Sequence, residues 1–134
     1  MAEAETRIAR CTCGQARAVC SGEPERVSVC HCLNCKRRSG SSFAVQARFA
    51  AANVTITGDF ATFELVGDEG GRSVHRFCTG CGATLFYTFD AQPGVLAIPL
   101  GLFDDPWFAR PAYSVYEERK HDWVEITGPV DHYD

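Results

Sequence analysis

The sequence predicts a mainly β fold of short antiparallel strands with little helix. Short segments rich in β-branched and aromatic residues alternate with Gly, Asp, Asn and Pro, which is typical of antiparallel sheets. No segment keeps a 3.6-residue apolar period over the length of an ordinary helix. The length of 134 residues suits one domain with a genuine core. We therefore expect a single domain over residues 1–134, with its core at about 6–127.

The first half of the chain gives strands interrupted by one helical turn. Asn34–Ser39 is predicted to form that turn, and Gly40 is predicted to end it. Ser42–Phe49 is the clearest strand because apolar residues alternate along it. Gly58-Asp59 is read as a hairpin turn joining the two strands that flank it. The strands predicted in this half are Gln15–Cys20, Glu25–Val29, Ser42–Phe49, Asn53–Thr57 and Phe60–Val66.

The second half is predicted to supply the centre and one edge of the sheet. Turns are expected at Asp68–Gly71 and at Ala91–Gly94. Thr84–Phe89 and Val95–Leu100 are apolar enough to be central strands. Val74–Phe77 is a further strand, and Tyr113–Tyr116 and Trp123–Ile126 are predicted as late edge strands. The aromatic residues expected in the core are Phe43, Phe49, Phe86, Phe89 and Trp123.

Composition and charge exclude several classes of function. Apolar residues make up 46% of the chain and charged residues 22%, which is ordinary for a soluble globular protein. No stretch approaches the roughly 20 apolar residues that span a bilayer. The acidic start, Met1–Glu5, lacks the apolar core of a signal peptide, so we expect a cytoplasmic protein. The net charge of −4 gives no general attraction to nucleic acid or to an anionic membrane.

Two pairs of cysteines predict a closed structural zinc site. Cys11 and Cys13 are followed by a glycine, and Cys78 and Cys81 enclose one glycine and precede another. Glycine permits the positive φ of a zinc knuckle, and backbone N–H groups can then point at the sulfurs. Four thiolates would complete a tetrahedral zinc site. A thioredoxin-like redox pair at Cys78 and Cys81 needs a βαβ context that the sequence does not show, and inert thiols are the remaining alternative.

A second group of thiols, C-x-C-x-x-C, contains Cys30, Cys32 and Cys35. Three thiols within six residues rarely serve packing alone, and three ligands leave one tetrahedral position of a zinc ion open. We therefore expect these three residues to hold a second zinc ion where thiol chemistry takes place, which makes them the candidate catalytic residues. Closed structural sites completed by other ligands are the alternative, with Cys20 as a possible fourth ligand; otherwise Cys20 is read as a small buried hydrophobe.

Neighbouring polar residues carry weaker signals. His31 lies between two expected ligands, so its side chain is expected to point away from the metal, towards the surface or the surroundings of the site. His75 is read as a strand histidine with a satisfied hydrogen bond. The run Lys36-Arg37-Arg38 is either a solvated face or an attractive surface for an anionic substrate.

These motifs together resemble the GFA family. The order C-x-C-G at 11–14, C-H-C-x-x-C with following basic residues and Gly40, and F-C-x-x-C-G at 77–82 matches that family over nearly the whole chain. The name-giving members are glutathione-dependent formaldehyde-activating enzymes, and centromere protein V shares the domain. The resemblance implies a GFA-type zinc-binding β fold with two zinc ions per chain. Carried over by motif, one ion is structural and held by Cys11, Cys13, Cys78 and Cys81, and the other is held by Cys30, Cys32 and Cys35.

The resemblance also implies a reaction, the addition of glutathione or a similar small thiol to formaldehyde to give S-hydroxymethylglutathione. The chain is then a carbon–sulfur lyase-type enzyme whose partners are a small thiol and a small aldehyde. No glutathione-contact motif can be matched residue by residue, and the chain is shorter than the glutathione-dependent members. A thiol-binding module without turnover and a zinc-bearing protein-interaction domain are therefore the alternatives. A nucleic-acid role like that of centromere protein V is disfavoured by the acidic balance.

Overall fold

The computed structural model describes residues 5–67 and 70–134 and is built mainly from β-strands. The one α-helix in this part of the chain, α1, has seven residues, in agreement with the predicted scarcity of helix. Short 3₁₀ turns complete the connections at Ala51–Asn53, Leu100–Leu102, Pro106–Phe108 and Glu117–Arg119. The elements are β1 Thr6–Arg10, β2 Arg17–Ser21, β3 Arg26–Cys30, α1 Leu33–Ser39, β4 Ala44–Ala50, β5 Val54–Thr57, β6 Phe60–Val66, β7 Arg72–Cys78, β8 Thr84–Phe89, β9 Val95–Pro99, β10 Tyr113–Val115 and β11 Asp131–His132.

The strands form two sheets. A small antiparallel sheet has the order β1-β2-β5, and a large one has the order β11-β10-β3-β4-β9-β8-β7-β6. The strands predicted to be central, β8 and β9, lie inside the large sheet. Most pairs are antiparallel, as the sequence predicted, whereas the pairs formed by β10 with β3 and with β11 are parallel. Parallel pairing requires a long connection between partners, and the segment from β4 to β9 provides it between β3 and β10.

The hydrophobic core contains residues from both sheets. The small sheet contributes Ala9, Ala18 and Cys20, each with 0% exposure. From the large sheet, Phe49 and Phe86 are buried in the core as predicted, while Phe43 and Phe89 are half-buried. Burial of Cys20 agrees with its reading as a small hydrophobe.

The predicted hairpin at Gly58-Asp59 is wrong. β5 pairs with β2 in the small sheet, whereas β6 pairs with β7 in the large sheet, so the chain changes sheets at this point. Gly58 has φ +120°, and a Cβ atom there would lie 2.7 Å from the Cα atom of Ala16. Gln15 also clamps Asp59, since its side-chain amide accepts from the Asp59 N–H at 2.9 Å and donates to the Asp59 carbonyl at 2.8 Å. Close packing against a distant loop therefore overrides the local turn signal.

The tail also differs from the prediction. Residues 123–126 form no strand, and the last strand is β11 instead. Trp123 was expected in the core, but 69% of it is exposed and its ring stacks on His121 with centroids 5.1 Å apart. Its neighbour Val124 is buried, so the smaller of the two residues packs against the interior here.

The turn expected at 68–71 falls partly on Asp68 and Glu69, which lie outside the described residues. No helix in the described part of the chain is long and apolar enough to cross a bilayer.

Candidate metal centres

The first cluster, called the tetrathiol cluster here, contains the side chains of Cys11, Cys13, Cys78 and Cys81. Their Sγ atoms all lie within 4.8 Å of one another, although Cys13 and Cys78 are 65 residues apart in sequence. The Sγ atom of Cys13 is 3.6 Å from that of Cys11 and 3.6 Å from that of Cys78. The sequence predicted this set of four residues, and the fold brings all of them together.

Local backbone geometry explains how each loop presents its two sulfurs. Gly14 and Gly82 directly follow the second cysteine of each pair and have φ values of +82° and +81°. Each of these glycines donates its N–H to the carbonyl of the first cysteine of its pair, which closes a tight turn. Gly80 has a different role, because a Cβ atom at this position would lie 3.4 Å from the Cys13 sulfur. Gly14 and Gly82 therefore allow the conformation of the tight turns, and Gly80, which lies between Cys78 and Cys81, leaves space for the Cys13 sulfur.

Hydrogen bonds to sulfur prepare the tetrathiol cluster for negative charge. The Cys78 Sγ atom accepts from Gln15 Nε2 at 2.9 Å and from the N–H groups of Gly80 and Cys81 at 3.2 and 3.4 Å. The bond from Gln15, followed by the one from the Cys81 N–H, lowers the pKa of Cys78 to about 6. The Ala83 N–H likewise lowers the pKa of Cys81. Polarised thiolates of this kind are good zinc ligands.

Gln15 is a contributor that the sequence reasoning missed. Its side chain joins three parts of the fold: the loop after Cys13, the Gly58-Asp59 crossing, and the Cys78 sulfur. It follows the Cys-Thr-Cys-Gly motif directly, but an isolated glutamine carries no metal signal in a sequence. Only the tertiary contacts show its role.

The second cluster, called the trithiol cluster here, is formed by Cys30, Cys32 and Cys35. Their sulfurs also lie within 4.8 Å of one another, and the Sγ atoms of Cys30 and Cys32 are 3.4 Å apart. Cys30 ends β3 and is buried, Cys32 caps the N-terminus of α1, and Cys35 lies one turn into that helix. The Cys35 N–H donates to the Cys32 sulfur at 3.3 Å. Gly40 ends α1 in the left-handed conformation, as the sequence predicted.

The donor set of the trithiol cluster fits a divalent cation. Side-chain hydrogen bonds from Cys30 and then Cys35 place the pKa of Cys32 far below its usual range, and side-chain hydrogen bonds with Cys30 and then Cys32 raise the pKa of Cys35. Ionisation of a second or third thiol this close to the first is unfavourable, because the negative charges repel each other. A cation such as Zn²⁺ removes that repulsion, and thiolate is one of its preferred ligands. Both clusters therefore fit zinc.

No fourth ligand joins the trithiol cluster among the described residues. Groups of three or more His, Cys, Asp or Glu ligand atoms at this spacing comprise only the two cysteine clusters in that part of the chain. Cys20, the possible fourth ligand, lies in the hydrophobic core instead. His31 is fully buried, which excludes the surface and leaves the surroundings of the site among its two expected places, and its Nε2 atom lies 2.9 Å from Ser114 Oγ on β10.

The basic run after Cys35 divides into three environments. Lys36 Nζ donates to the carbonyl of Arg119, Arg37 is exposed, and the guanidinium of Arg38 lies 5.1 Å from the centre of the Tyr87 ring. His75 lies on β7, where its Nε2 atom is 3.0 Å from Ser73 Oγ. Its imidazole stacks on Tyr87 at 4.9 Å, which agrees with the reading of a strand histidine.

Comparisons with known proteins agree with this arrangement. A Rhodobacter sphaeroides protein, whose crystal structure was determined as a structural-genomics target, has a similar fold with a TM-score of 0.55. It is 18% identical, and the match covers 78% of this chain and 91% of that chain, so it supports the fold alone. A comparison with curated proteins gives no match. The model of the family described as glutathione-dependent formaldehyde-activating enzyme matches residues 6–119, which include all seven clustered cysteines. The chain therefore belongs to the GFA family.

Proposed function

We propose that the chain is a zinc-dependent carbon–sulfur lyase-type enzyme that joins a small thiol, such as glutathione, to formaldehyde or another small aldehyde. The observation that carries this proposal is the difference in ligand number between the two clusters. The tetrathiol cluster supplies a complete tetrahedral donor set, whereas the trithiol cluster supplies three donors. Membership of the GFA family supports the same reaction class.

In this proposal, Cys11, Cys13, Cys78 and Cys81 hold a structural zinc ion, and Cys30, Cys32 and Cys35 hold a second one. The second ion would supply an open position for the sulfur of a substrate and would lower the pKa of that thiol. A substrate sulfur at that position would lie beside the N-terminus of α1, where Cys32 and Cys35 are half-buried. Arg37 and Arg38, which follow on the same helix, would attract a thiol that carries carboxylates.

The reaction balances without a redox partner. The thiol loses its proton, a sulfur lone pair forms the new C–S bond, and the π electrons of the aldehyde C=O bond move to oxygen. That oxygen then takes up one proton, giving S–CH₂–OH from formaldehyde. The neighbouring His31 does not reach that oxygen, because it is fully buried and its Nε2 atom contacts Ser114 Oγ. We assign this proton to water. Lys36 Nζ donates to the Arg119 carbonyl instead.

Replacement of Cys32 by serine tests the mechanism. Cys32→Ser should remove one equivalent of zinc and abolish the acceleration of adduct formation, while the cooperative unfolding transition remains. Zinc would be determined by elemental analysis, and exchange between glutathione and S-hydroxymethylglutathione by NMR. Cys20→Ala is the matched control, since it removes a thiol that lies in neither cluster.

The same experiment separates the alternatives. Wild-type turnover in Cys32→Ser would contradict the mechanism. Saturable thiol binding without faster exchange in the wild-type protein would assign the trithiol cluster to a carrier or sensor. Absence of thiol binding would favour a zinc-bearing interaction domain.

A further inference from the structure

A row of side chains crosses the outer face of the large sheet next to the trithiol cluster. Arg26 on β3 pairs with Arg48 on β4, and Arg48 pairs with Ala97 on β9. Ala97 pairs with Tyr87 on β8, which pairs with His75 on β7. Directly paired residues point to the same side of a sheet. These five residues therefore share one face, opposite to the one that packs on the small sheet.

The trithiol cluster lies at the end of the same face. Arg26, Ser28 and Cys30 occupy alternate positions of β3, so their side chains point the same way. The Cα atoms of Arg26 and Cys30 are about 13 Å apart along the strand at the usual rise per residue. Arg38 approaches this face from α1, since its guanidinium lies over the ring of Tyr87. Three arginines, Arg26, Arg38 and Arg48, thus surround the approach to the cluster; we call them the arginine group.

Several polar atoms of this face are buried without a hydrogen-bond partner. Arg26 Nε, Arg38 Nη2 and Arg48 Nε are buried without a hydrogen-bond partner among the described residues. The same is true of Gln46 Oε1, which lies beside the row on β4, and of His75 Nδ1. Buried polar atoms are nearly always hydrogen-bonded, and leaving one unpaired costs about 1–3 kcal/mol. Because these atoms have almost no accessible surface, a ligand on this face would contact the terminal nitrogens of Arg26 and Arg48, of which only Arg48 Nη1 has a hydrogen-bond partner in the described part of the chain.

The arginine group has no carboxylate partner among the described residues. The carboxylates that the structure describes form no ion pair with any member of the arginine group. Arg48 has one hydrogen bond from a terminal nitrogen, from Nη1 to Gln92 Oε1 at 2.8 Å. Burial lowers the pKa of Arg48, and the charge of Arg26 lowers it further. Two guanidinium groups side by side would be stabilised by an anion placed between them.

Aromatic rings hold the guanidinium groups in place. Arg26 lies 4.4 Å from the centre of the Tyr113 ring, and Arg48 lies 4.7 Å from that of Phe89. Stacking leaves the edge of a guanidinium available to pair with a carboxylate. In Arg48 the terminal nitrogen Nη1 already donates to Gln92 Oε1, so Nη2 is the nitrogen that remains. The arginine group is therefore preorganised for carboxylate recognition.

We propose that the arginine group binds a carboxylate of the thiol substrate, so that the chain selects peptide-like thiols carrying carboxylates over neutral thiols. This inference rests on the proposed binding of a thiol at the trithiol cluster. The distance of about 13 Å along β3, part of which an arginine side chain spans, suits a small peptide rather than a very short acid.

The test compares two thiols on the zinc-loaded full chain. Glutathione and its diethyl ester, both N-acetylated so that the ester is neutral, would be titrated by calorimetry, and the ratio of their affinities determined for each variant. We expect the wild-type protein to prefer glutathione by about tenfold or more, the usual effect of a good charge-assisted contact. The double variant Arg26→Gln/Arg48→Gln should bring the ratio close to one and leave the affinity for the ester unchanged.

Two further variants control for effects on folding. Arg76 is also half-buried and stacked, 5.3 Å from the Phe86 ring, but it lies one position from His75 on the opposite face of β7. Arg76→Gln should keep the wild-type ratio. Arg48→Lys retains the charge but loses the two-pronged geometry, so it should reduce the ratio by a few-fold, and it carries the test if the double variant does not fold.

The outcomes distinguish this inference from the proposed function. Equal affinity of the wild-type protein for glutathione and its ester would overturn the role of the arginine group and leave thiol binding in place. An unchanged ratio in the folded double variant, or in Arg48→Lys if only that variant folds, would overturn it as well. Binding of neither thiol would overturn both proposals.

Discussion

The two cysteine clusters are built in opposite ways. The tetrathiol cluster collects its sulfurs from two loops, one between β1 and β2 and one between β7 and β8, which belong to different sheets. The trithiol cluster takes all of its sulfurs from six consecutive residues at the junction of β3 and α1. One cluster therefore joins distant parts of the fold, whereas the other is a local feature on the face of one sheet.

This difference shows how one chain can separate stability from chemistry. A metal bound at the tetrathiol cluster closes a long loop and stabilises the packing of the two sheets, as a structural crosslink does. A metal bound at the trithiol cluster constrains only a short loop that the β3–β10 pairing and the His31–Ser114 contact already hold. We expect loss of the first cluster to unfold the protein and loss of the second to remove its chemistry.

The largest expected effect is on folding, from Cys78→Ser. This change removes a zinc ligand and the acceptor of three hydrogen bonds, so it should lower the free energy of unfolding by more than about 4 kcal/mol. Denaturant unfolding followed by circular dichroism would measure it, with Cys32→Ser as the paired variant. If the two variants lost equal stability, the contrast between a crosslinking and a local cluster would be wrong.

The second effect is on metal release. A zinc-binding dye added to the zinc-loaded protein should extract two equivalents in separate phases. The zinc of the trithiol cluster should leave first and at least about tenfold faster, because that site has one protein ligand fewer. Glutathione should change the fast phase alone, and Cys32→Ser should abolish it. A single phase insensitive to glutathione would indicate that both sites are closed.

The smallest expected effect comes from the contact between His31 and Ser114 beside the trithiol cluster. Ser114→Ala leaves the buried His31 Nε2 atom without its partner and should cost about 1–3 kcal/mol of unfolding free energy. It should also speed zinc release in the fast phase. Ser73→Ala is the matched control, because Ser73 forms a similar contact with His75 at 3.0 Å on β7, four strands from β3 in the large sheet. Equal release rates in the two variants would show that the His31–Ser114 contact does not support the site.

The sequence pattern alone predicted those features of the structure that depend only on neighbouring residues. The alternation in β4, the short helix ended by Gly40, and the paired cysteines with following glycines are all properties of a few adjacent positions. The hairpin at Gly58 was wrong because the local turn signal is the same whether the chain returns to its own sheet or crosses to another. Packing against Ala16 and the clamp from Gln15 decide between these outcomes.

Trp123 shows the same limit for burial. A large aromatic residue is a reasonable choice for the core, yet the tail buries Val124 and leaves the indole exposed on His121. The number of apolar residues cannot show which of two neighbours faces inwards when no strand period fixes the alternation.

The sequence by itself indicated the fold class and the family, and it predicted the two groups of cysteines that the fold brings together, because spacing within each motif shows which neighbouring sulfurs can meet. Tertiary structure alone decided that Cys20 stays outside the trithiol cluster and that His31 turns to Ser114. It also decided that Arg26 and Arg48 lie side by side on the face that leads to Cys30. These facts depend on which strands pair and in what register, and such long-range pairings are set by the packing of the whole chain rather than by any local pattern.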